Sequence, residues 1–516
     1  MSKFSKVKSA AVLGIDAYIV DVECNLSQGK VPRYVTVGLP EGAVKESKER
    51  VLTSIRNSNY HFPDNKIVIN LAPADIKKEG SAFDLPIAIG ILSASGYIDD
   101  DKLSDYILLG ELALDGKCRE VKGVISIAIS ILESDVKGII LPEQNAKEAA
   151  VVEDLDVVPV KSLEDAVNFF NGDKSKVRVD YDPGSVFEQN SDYKRNFREV
   201  KGQENVKRSL EIAAAGGHNA LMIGPPGSGK TMLARRIPSI LPKMTLEEAL
   251  ETTKIHSVSG NLNTEKGIVA TRPFRSPHHT ISDAALIGGG RIPKPGEVSL
   301  SHHGVLFLDE LPEFKKNVLE VMRQPLEDGE VTISRAKSTL SYPASFMLIA
   351  AMNPCPCGYA TDPNNNCNCT AGQIQRYISK ISGPLLDRID IHIEVPAVEY
   401  SKLSEKEPGE SSKSIQDRVE RARKIQKQRF QDLDDVFANA HMNNKLINKY
   451  CEIDESGEQL LQNALQKLGL SARAYNKILK VGRTIADISG KQSITTQHLG
   501  EAIQYRSLDR QAWIYE

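Results

Sequence analysis

A chain of 516 residues is too long for one core, and its 41% hydrophobic and 26% charged content is that of an ordinary folded protein of about three domains. A formal net charge of −3 excludes a uniformly basic surface, so any contact with nucleic acid has to be local, in a channel or on a hairpin. Charged and polar residues interrupt the N-terminal MSKFSKVKSAAVLGIDAYIV where a secretion signal needs an apolar run, and no stretch of about eighteen apolar residues occurs; the expectation is a cytoplasmic chain with no membrane partner and reduced cysteines.

Residues 1–170 alternate strand-like and helix-like runs. KIVINLAP and YILLGELAL predict strands, whereas DLPIAIGILSASG and VISIAISILES have helical apolar spacing. Residues 171–196 are polar and carry Pro and Gly, which marks a linker. Residues 197–397 return to short buried strands and helices, the pattern of a parallel α/β core. Residues 398–516 begin with a polar connector and then show helical periodicity alone, as in GEQLLQNALQKLGL and YNKILKVGRTIADISG, so an all-α domain closes the chain. There are no internal repeats.

The core segment carries the chemistry. LMIGPPGSGKT, residues 221–231, matches G-x-x-x-x-G-K-[ST] between an apolar strand and a helix running on through MLARRI. Gly224, Pro225, Pro226, Gly227, Ser228, Gly229, Lys230, Thr231 and Met232 are the expected nucleotide-binding loop. Its N–H groups wrap phosphates, Lys230 reaches the β/γ-phosphates and Thr231 ligates Mg²⁺. Downstream, GVLFLDE delivers Asp309 to the Mg²⁺ shell and Glu310 to the attacking water as general base. VTIS and STLSYPA predict two strands around a turn at Arg335, Ala336 and Lys337. Then come Cys355, Cys357, Cys367 and Cys369, two C-x-C pairs nine residues apart. Four thiolates in a Pro- and Gly-punctuated loop are the ligand count of a closed tetrahedral Zn²⁺ site, with a redox disulfide pair and free thiols as rivals.

VKGQENVKRSLEIAAAGGHNALMIGPPGSGKT, RPFRSPHHTISDAALIGGG, GVLFLDELPEF and GPLLDRIDIHIEVP resemble the magnesium-chelatase-like AAA+ ATPases, specifically the YifB/ComM group, over essentially the whole chain. The resemblance implies a hexameric ATP-driven ring with ATP sites at subunit interfaces. It further implies branched or single-stranded DNA in the ring pore, and branch migration in recombination and natural transformation. It assigns Asn353 as the sensor 1 residue beside Asp309, Arg388 as an arginine finger for a neighbouring subunit, and Arg473 as sensor 2 on a helical lid. VKGQ, residues 200–203, borders the adenine. Arg335 and Lys337 fall on the hairpin that faces the pore, where cations suit a phosphate backbone. An insert between the phosphate loop and Asp309 adds Arg272, Arg275, His278, His279, Arg291 and Lys294 as further DNA candidates. The paired histidines lack an acidic or cysteine neighbour in sequence and are expected to be solvated or bonded to backbone. Related proteins carry cysteines where Cys355–Cys369 stand, which favours one structural Zn²⁺ per subunit.

KKEGSAFDLPIAIG followed by LGELALDGKCREVKGVISIAIS resembles the Lon protease domain, an S5-like α/β fold. Lon-type proteases use a Ser–Lys dyad. Laid along this chain without gaps, the serine position falls on Ala82 and the lysine position on Ile125, so the domain is expected to be proteolytically inactive. Two other functions compete with a DNA motor: a chelatase subunit that drives metal insertion into a porphyrin, and a protein-remodelling or peptidase machine.

Overall fold

The computed structural model describes residues 3–506 apart from 28–32, 79, 173–178, 180, 183, 185–186, 188–192, 291–292, 336–337, 363–364, 398–407, 434–435 and 469–471. It divides into two compact units, Met1–Asn190 with Leu246–Ala270, and Ser191–Thr245 with Thr271–Glu516.

The first unit is built on strands β1 (Lys3–Leu13), β2 (Asp16–Ser27), β3 (Arg33–Val37), β4 (Lys66–Ala72), β5 (Tyr106–Leu108), β6 (Gly138–Pro142) and β7 (Asp156–Val160). They form one mixed sheet in the order β3-β4-β2-β1-β5-β6-β7. β1 and β2 are an antiparallel hairpin, and β5, β6 and β7 are parallel. Alternating residues along β5 and β6 enter two different apolar clusters, Leu108 and Ile140 in one, Ile107 and Ile139 in the other. Both faces of the sheet are therefore covered, as parallel strands require. Helix Asp84–Ser95 belongs to the first cluster and Val124–Ile131 to the second, where the sequence expects both helices.

Residues Leu246–Ala270 join this unit, although in sequence they lie inside the stretch 197–397 assigned above to the parallel α/β core. Helix Leu246–Ser259 packs on Val124–Ile131. The anchor is polar: Ser257 Oγ donates to Glu148, accepts from the N–H of Gly123 at 2.8 Å, and Glu148 also accepts from the N–H of Ile125 at 2.9 Å. Glu148 is 2% exposed, and burial pushes its carboxyl above the usual 4.5.

The second unit is built on β8 (Ala220–Ile223), β9 (Phe274–Arg275), β10 (Val305–Leu308), β13 (Met347–Met352) and β14 (Ile391–Glu394), all parallel, in the order β9-β10-β13-β8-β14. β11 (Glu330–Arg335) and β12 (Ser338–Pro343) form a separate antiparallel hairpin, as the sequence expects. ALMI, VLFL and MLIAAM are buried along their whole length, because a central parallel strand is covered on both faces. The C-terminal helices Ser412–Arg429, Asn444–Tyr450, Glu455–Leu468, Ala472–Ile488 and Thr496–Gln504 share one apolar core with this sheet. His218 joins the two parts: Nε2 lies 2.8 Å from Thr484 Oγ1 on helix Ala472–Ile488, and Nδ1 lies 3.2 Å from Asp390 at the entrance to β14.

Candidate nucleotide site and cysteine cluster

β8 ends at Ile223 and the chain turns at once through the glycine-rich loop. Gly224 has no room for a side chain, since a Cβ there would run into the Val395 carbonyl just past β14. Gly229 opens helix Lys230–Ala234 with φ 89°, a left-handed value that side chains resist. The helix is shorter than MLARRI suggests: a 3₁₀ turn takes over at Ile237–Ile240, where Pro238 lacks the N–H that a continuing helix needs.

The loop brings four sequence-separated groups together. Lys230 Nζ donates to the carbonyls of Gly224 at 2.7 Å and Pro225 at 2.9 Å, and lies 3.3 Å from Asn353 Oδ1 at the end of β13. Thr231 Oγ1 donates to Asp309 Oδ2 at 2.7 Å at the end of β10. The adjacency of β8, β13 and β10 produces this meeting, since the last residues of all three point their loops to one sheet edge. Burial draws the Lys230 ammonium below its usual range, and the nearby Asp309 carboxylate partly restores it. An ammonium, a hydroxyl and a carboxylate converging at a glycine-rich loop suit a polyphosphate with a divalent cation.

Glu310 follows in the left-handed region at φ 54°. Its Oε2 lies 3.2 Å from His279 Nδ1, and the His279 ring sits 4.1 Å from that of His278. The acidic neighbour that the sequence could not supply for the paired histidines is thus the expected general base, 31 residues away in the chain and brought in by the fold.

A cavity of about 550 Å³ opens beside the loop, lined by Gln203, Val206, Ile223, Thr361, Glu394 and Pro396 among others. Gln203, the last residue of VKGQ, therefore borders a cavity that also touches Ile223, directly before the phosphate loop. Gln203 Nε2 donates to Ser228 O at 2.9 Å and to Pro396 O at 3.2 Å, while its Oε1 is buried without a hydrogen-bond partner.

The four clustered cysteines do come together. Cys355 Sγ lies 3.3 Å from Cys357 and 3.7 Å from Cys367, Cys357 lies 3.6 Å from Cys367, and all four sulfurs fall within 4.8 Å of one another. A tetrahedral ion with bonds of about 2.3 Å sets its sulfurs about 3.8 Å apart, whereas a disulfide needs about 2 Å. Burial pushes the Cys355 thiol up to about 12, and the N–H of Tyr359 draws Cys357 down to about 6. Cys24, Cys118 and Cys451 are buried singly among apolar side chains.

Three family profiles match the chain: "Magnesium chelatase, subunit ChlI" over residues 196–403, "Subunit ChlI of Mg-chelatase" over 22–145, and "Magnesium chelatase, subunit ChlI C-terminal" over 409–506. The competence protein ComM of Haemophilus influenzae is 45% identical over 98% of this chain and 97% of its own length. The YifB protein of Escherichia coli is 44% identical over the same shares. The chain belongs to the YifB/ComM family of magnesium-chelatase-like AAA+ proteins. Membership supports ATPase activity with ATP and Mg²⁺. The first unit has a further likeness, to Lon protease 2 of Bacillus subtilis, 31% identical over 150 residues that make up 28% of this chain and 27% of that protein. Among the described residues no helix is long and apolar enough to cross a membrane.

The remaining family positions stand apart from the phosphate loop within this chain. Arg388 pairs with Glu327 and donates to Pro384 O at 2.6 Å; Arg473 pairs with Asp387, the residue next to Arg388. Neither set of bonds involves the Lys230–Thr231 cluster. Arg335 is exposed at the end of β11, while Ala336, Lys337 and Arg291 lie outside the described residues. The other insert cations divide. Arg272 donates to the carbonyls of Pro242 at 2.6 Å and His303 at 2.7 Å, and Arg275 makes a two-point ion pair with Glu297 at 2.6 Å. Both guanidinium groups are engaged in holding the insert, so they are weaker DNA candidates than Lys294, which is exposed.

Proposed function

We propose that this chain is a ring-forming, ATP-driven motor that acts on DNA, and that its work is branch migration of joined duplexes. The observation that carries the reading is the convergence of Lys230, Thr231, Asp309 and Asn353 in a chain similar over nearly its full length to a competence protein. The hairpin β11–β12, with Arg335 exposed at its end, is the element we assign to DNA.

ATP with Mg²⁺ supplies the transferable phosphoryl group and the cation that neutralises its charge. Lys230 is positioned to move from the loop carbonyls onto phosphate oxygens, a short shift for a flexible ammonium. Thr231 and Asp309 offer a hydroxyl and a carboxylate to the cation. Glu310 takes the proton of the attacking water, with His279 positioning its carboxylate. Asn353 orients the water, Arg388 serves the site of a neighbouring subunit in a hexamer as its arginine finger, and Arg473 is the sensor 2 arginine of the helical lid. The four thiolates hold one structural Zn²⁺, a reading supported by the sulfur spacing; the ion supplies order to a loop with little apolar content.

The test is ATP hydrolysis and strand exchange on a synthetic four-way junction with purified protein. Forked or four-way DNA should accelerate hydrolysis, and migration should vanish in Lys230→Ala and Glu310→Gln. Acceleration by unfolded protein or by a porphyrin, with none from DNA, would overturn the reading.

A further inference from the structure

We propose that the four-cysteine loop is a wall of the nucleotide site, so that metal held by its thiols sets how tightly the site retains nucleotide. The inference rests on the nucleotide and zinc readings above and adds a physical link between them.

Two contacts make the link. Thr361, between Cys357 and Cys367 in sequence, lines the cavity that also touches Gln203, Val206 and Ile223. Gly358 sits against the phosphate loop: a Cβ there would lie 2.7 Å from Pro226 Cδ and Cγ, and its φ is 91°. The loop thus borders the site both at the phosphate turn and at the cavity wall.

The sulfurs decide where those residues stand. The N–H of Gly358 donates to Cys355 Sγ at 3.2 Å, and the N–H groups of Tyr359 and Ala360 turn onto Cys357 and Cys355. Residues 358–360 therefore hang from the cysteine cluster, one position short of Thr361. The sequence GYATDPNNN contributes little apolar area that could hold the loop in place otherwise. A tetrahedral cation would tie the four sulfurs, which lie within 4.8 Å of one another, into one rigid unit. Releasing the cation frees the wall, and the base loses one side of its pocket while the phosphate loop loses the packing at Pro226.

The experiment measures zinc by elemental analysis and affinity for a fluorescent, ribose-labelled ADP on the same full-length samples. Stripping zinc with a chelator should weaken binding by roughly tenfold or more, and adding Zn²⁺ back should restore it. Thr361→Arg, which crowds the wall without touching a ligand, should weaken binding with zinc content unchanged. Gly358→Ala should do the same through Pro226. Unchanged affinity after verified zinc loss overturns the metal link, and unchanged affinity in Thr361→Arg overturns the wall. Protein that carries no zinc as purified removes the zinc reading alone, because Thr361→Arg and Gly358→Ala still decide whether the loop borders the site.

Discussion

Both units are built on a sheet covered by helices, a seven-stranded mixed one and a five-stranded parallel one, and they differ most in chemical content. In the second, the loops at one sheet edge present Lys230, Thr231, Asp309, Glu310 and Asn353 within bonding reach of one another or of loop carbonyls. In the first, the gapless register with Lon proteases expects a Ser–Lys dyad at positions held by Ala82 and Ile125, and Ile125 is fully buried. The neighbouring Ser81 is committed to Glu111 instead. Likeness to a protease over 150 residues speaks for a shared scaffold, and the chemistry is a separate question of which side chains stand in it.

The largest effect should come from the second unit. Lys230→Ala removes the charge proposed to face the phosphates, and Glu310→Gln removes the proposed base while keeping its shape. Each should lower the ATPase kcat by about 10²–10³-fold, the size seen when one preorganised charge-stabilising group is lost. Circular dichroism should stay unchanged, because the Lys230 Nζ bonds go to the loop and to Asn353 Oδ1, outside the strands and helices. Hydrolysis within a fewfold of wild type in either variant would break the contrast between the units.

A middle-sized effect should come from Glu148, where burial does structural work. Glu148→Ala leaves the N–H of Ile125 and the hydroxyl of Ser257 without their acceptor, at a cost of about 1–3 kcal/mol. Hydrogen exchange of the amides in Val124–Ile131 and Leu246–Ser259 should quicken together, since the same carboxylate serves both helices. The sign of its pH dependence follows from burial, which raises the folded-state value above 4.5. The folded state then holds the proton more tightly, so this group favours folding most below pH 4.5 and that contribution fades as pH rises through the folded value. Glu148→Gln should flatten that part of the profile, and an unchanged profile would assign it to other groups.

How far these features were legible in sequence depends on how local their signals are. The phosphate loop, GVLFLDE and the two C-x-C pairs each put their chemistry inside about a dozen residues, and the strands that carry them are continuous apolar runs. Contacts between distant segments leave no such trace. Nothing in RSPHH announces that His279 will meet Glu310, and nothing in GYATD marks Thr361 as a cavity wall. Arg272 and Arg275 read as free cations because their partners, two loop carbonyls and Glu297, are known only once the insert is folded. The docking of Leu246–Ser259 in the first unit was hidden for a related reason. Its anchor, Ser257 on Glu148, is polar, and apolar periodicity is blind to it.

The smallest expected effect is the sharpest test of the contrast. Ser81 donates one hydrogen bond to Glu111, whose other oxygen already faces Arg119 at 3.5 Å, so Ser81→Ala should cost no more than about 1 kcal/mol. Lys122 is exposed beside Gly260, and Lys122→Ala removes a solvated charge. Neither change should alter ATP hydrolysis beyond about twofold, since neither residue belongs to the unit that holds the phosphate loop. Wild type and both variants should also be equally silent in ATP-dependent cleavage of an unfolded protein substrate. A wild-type peptidase rate that disappears in Ser81→Ala and in Lys122→Ala would mean that a shifted dyad has replaced the one missing at Ala82 and Ile125. The first unit would then be a second catalytic centre.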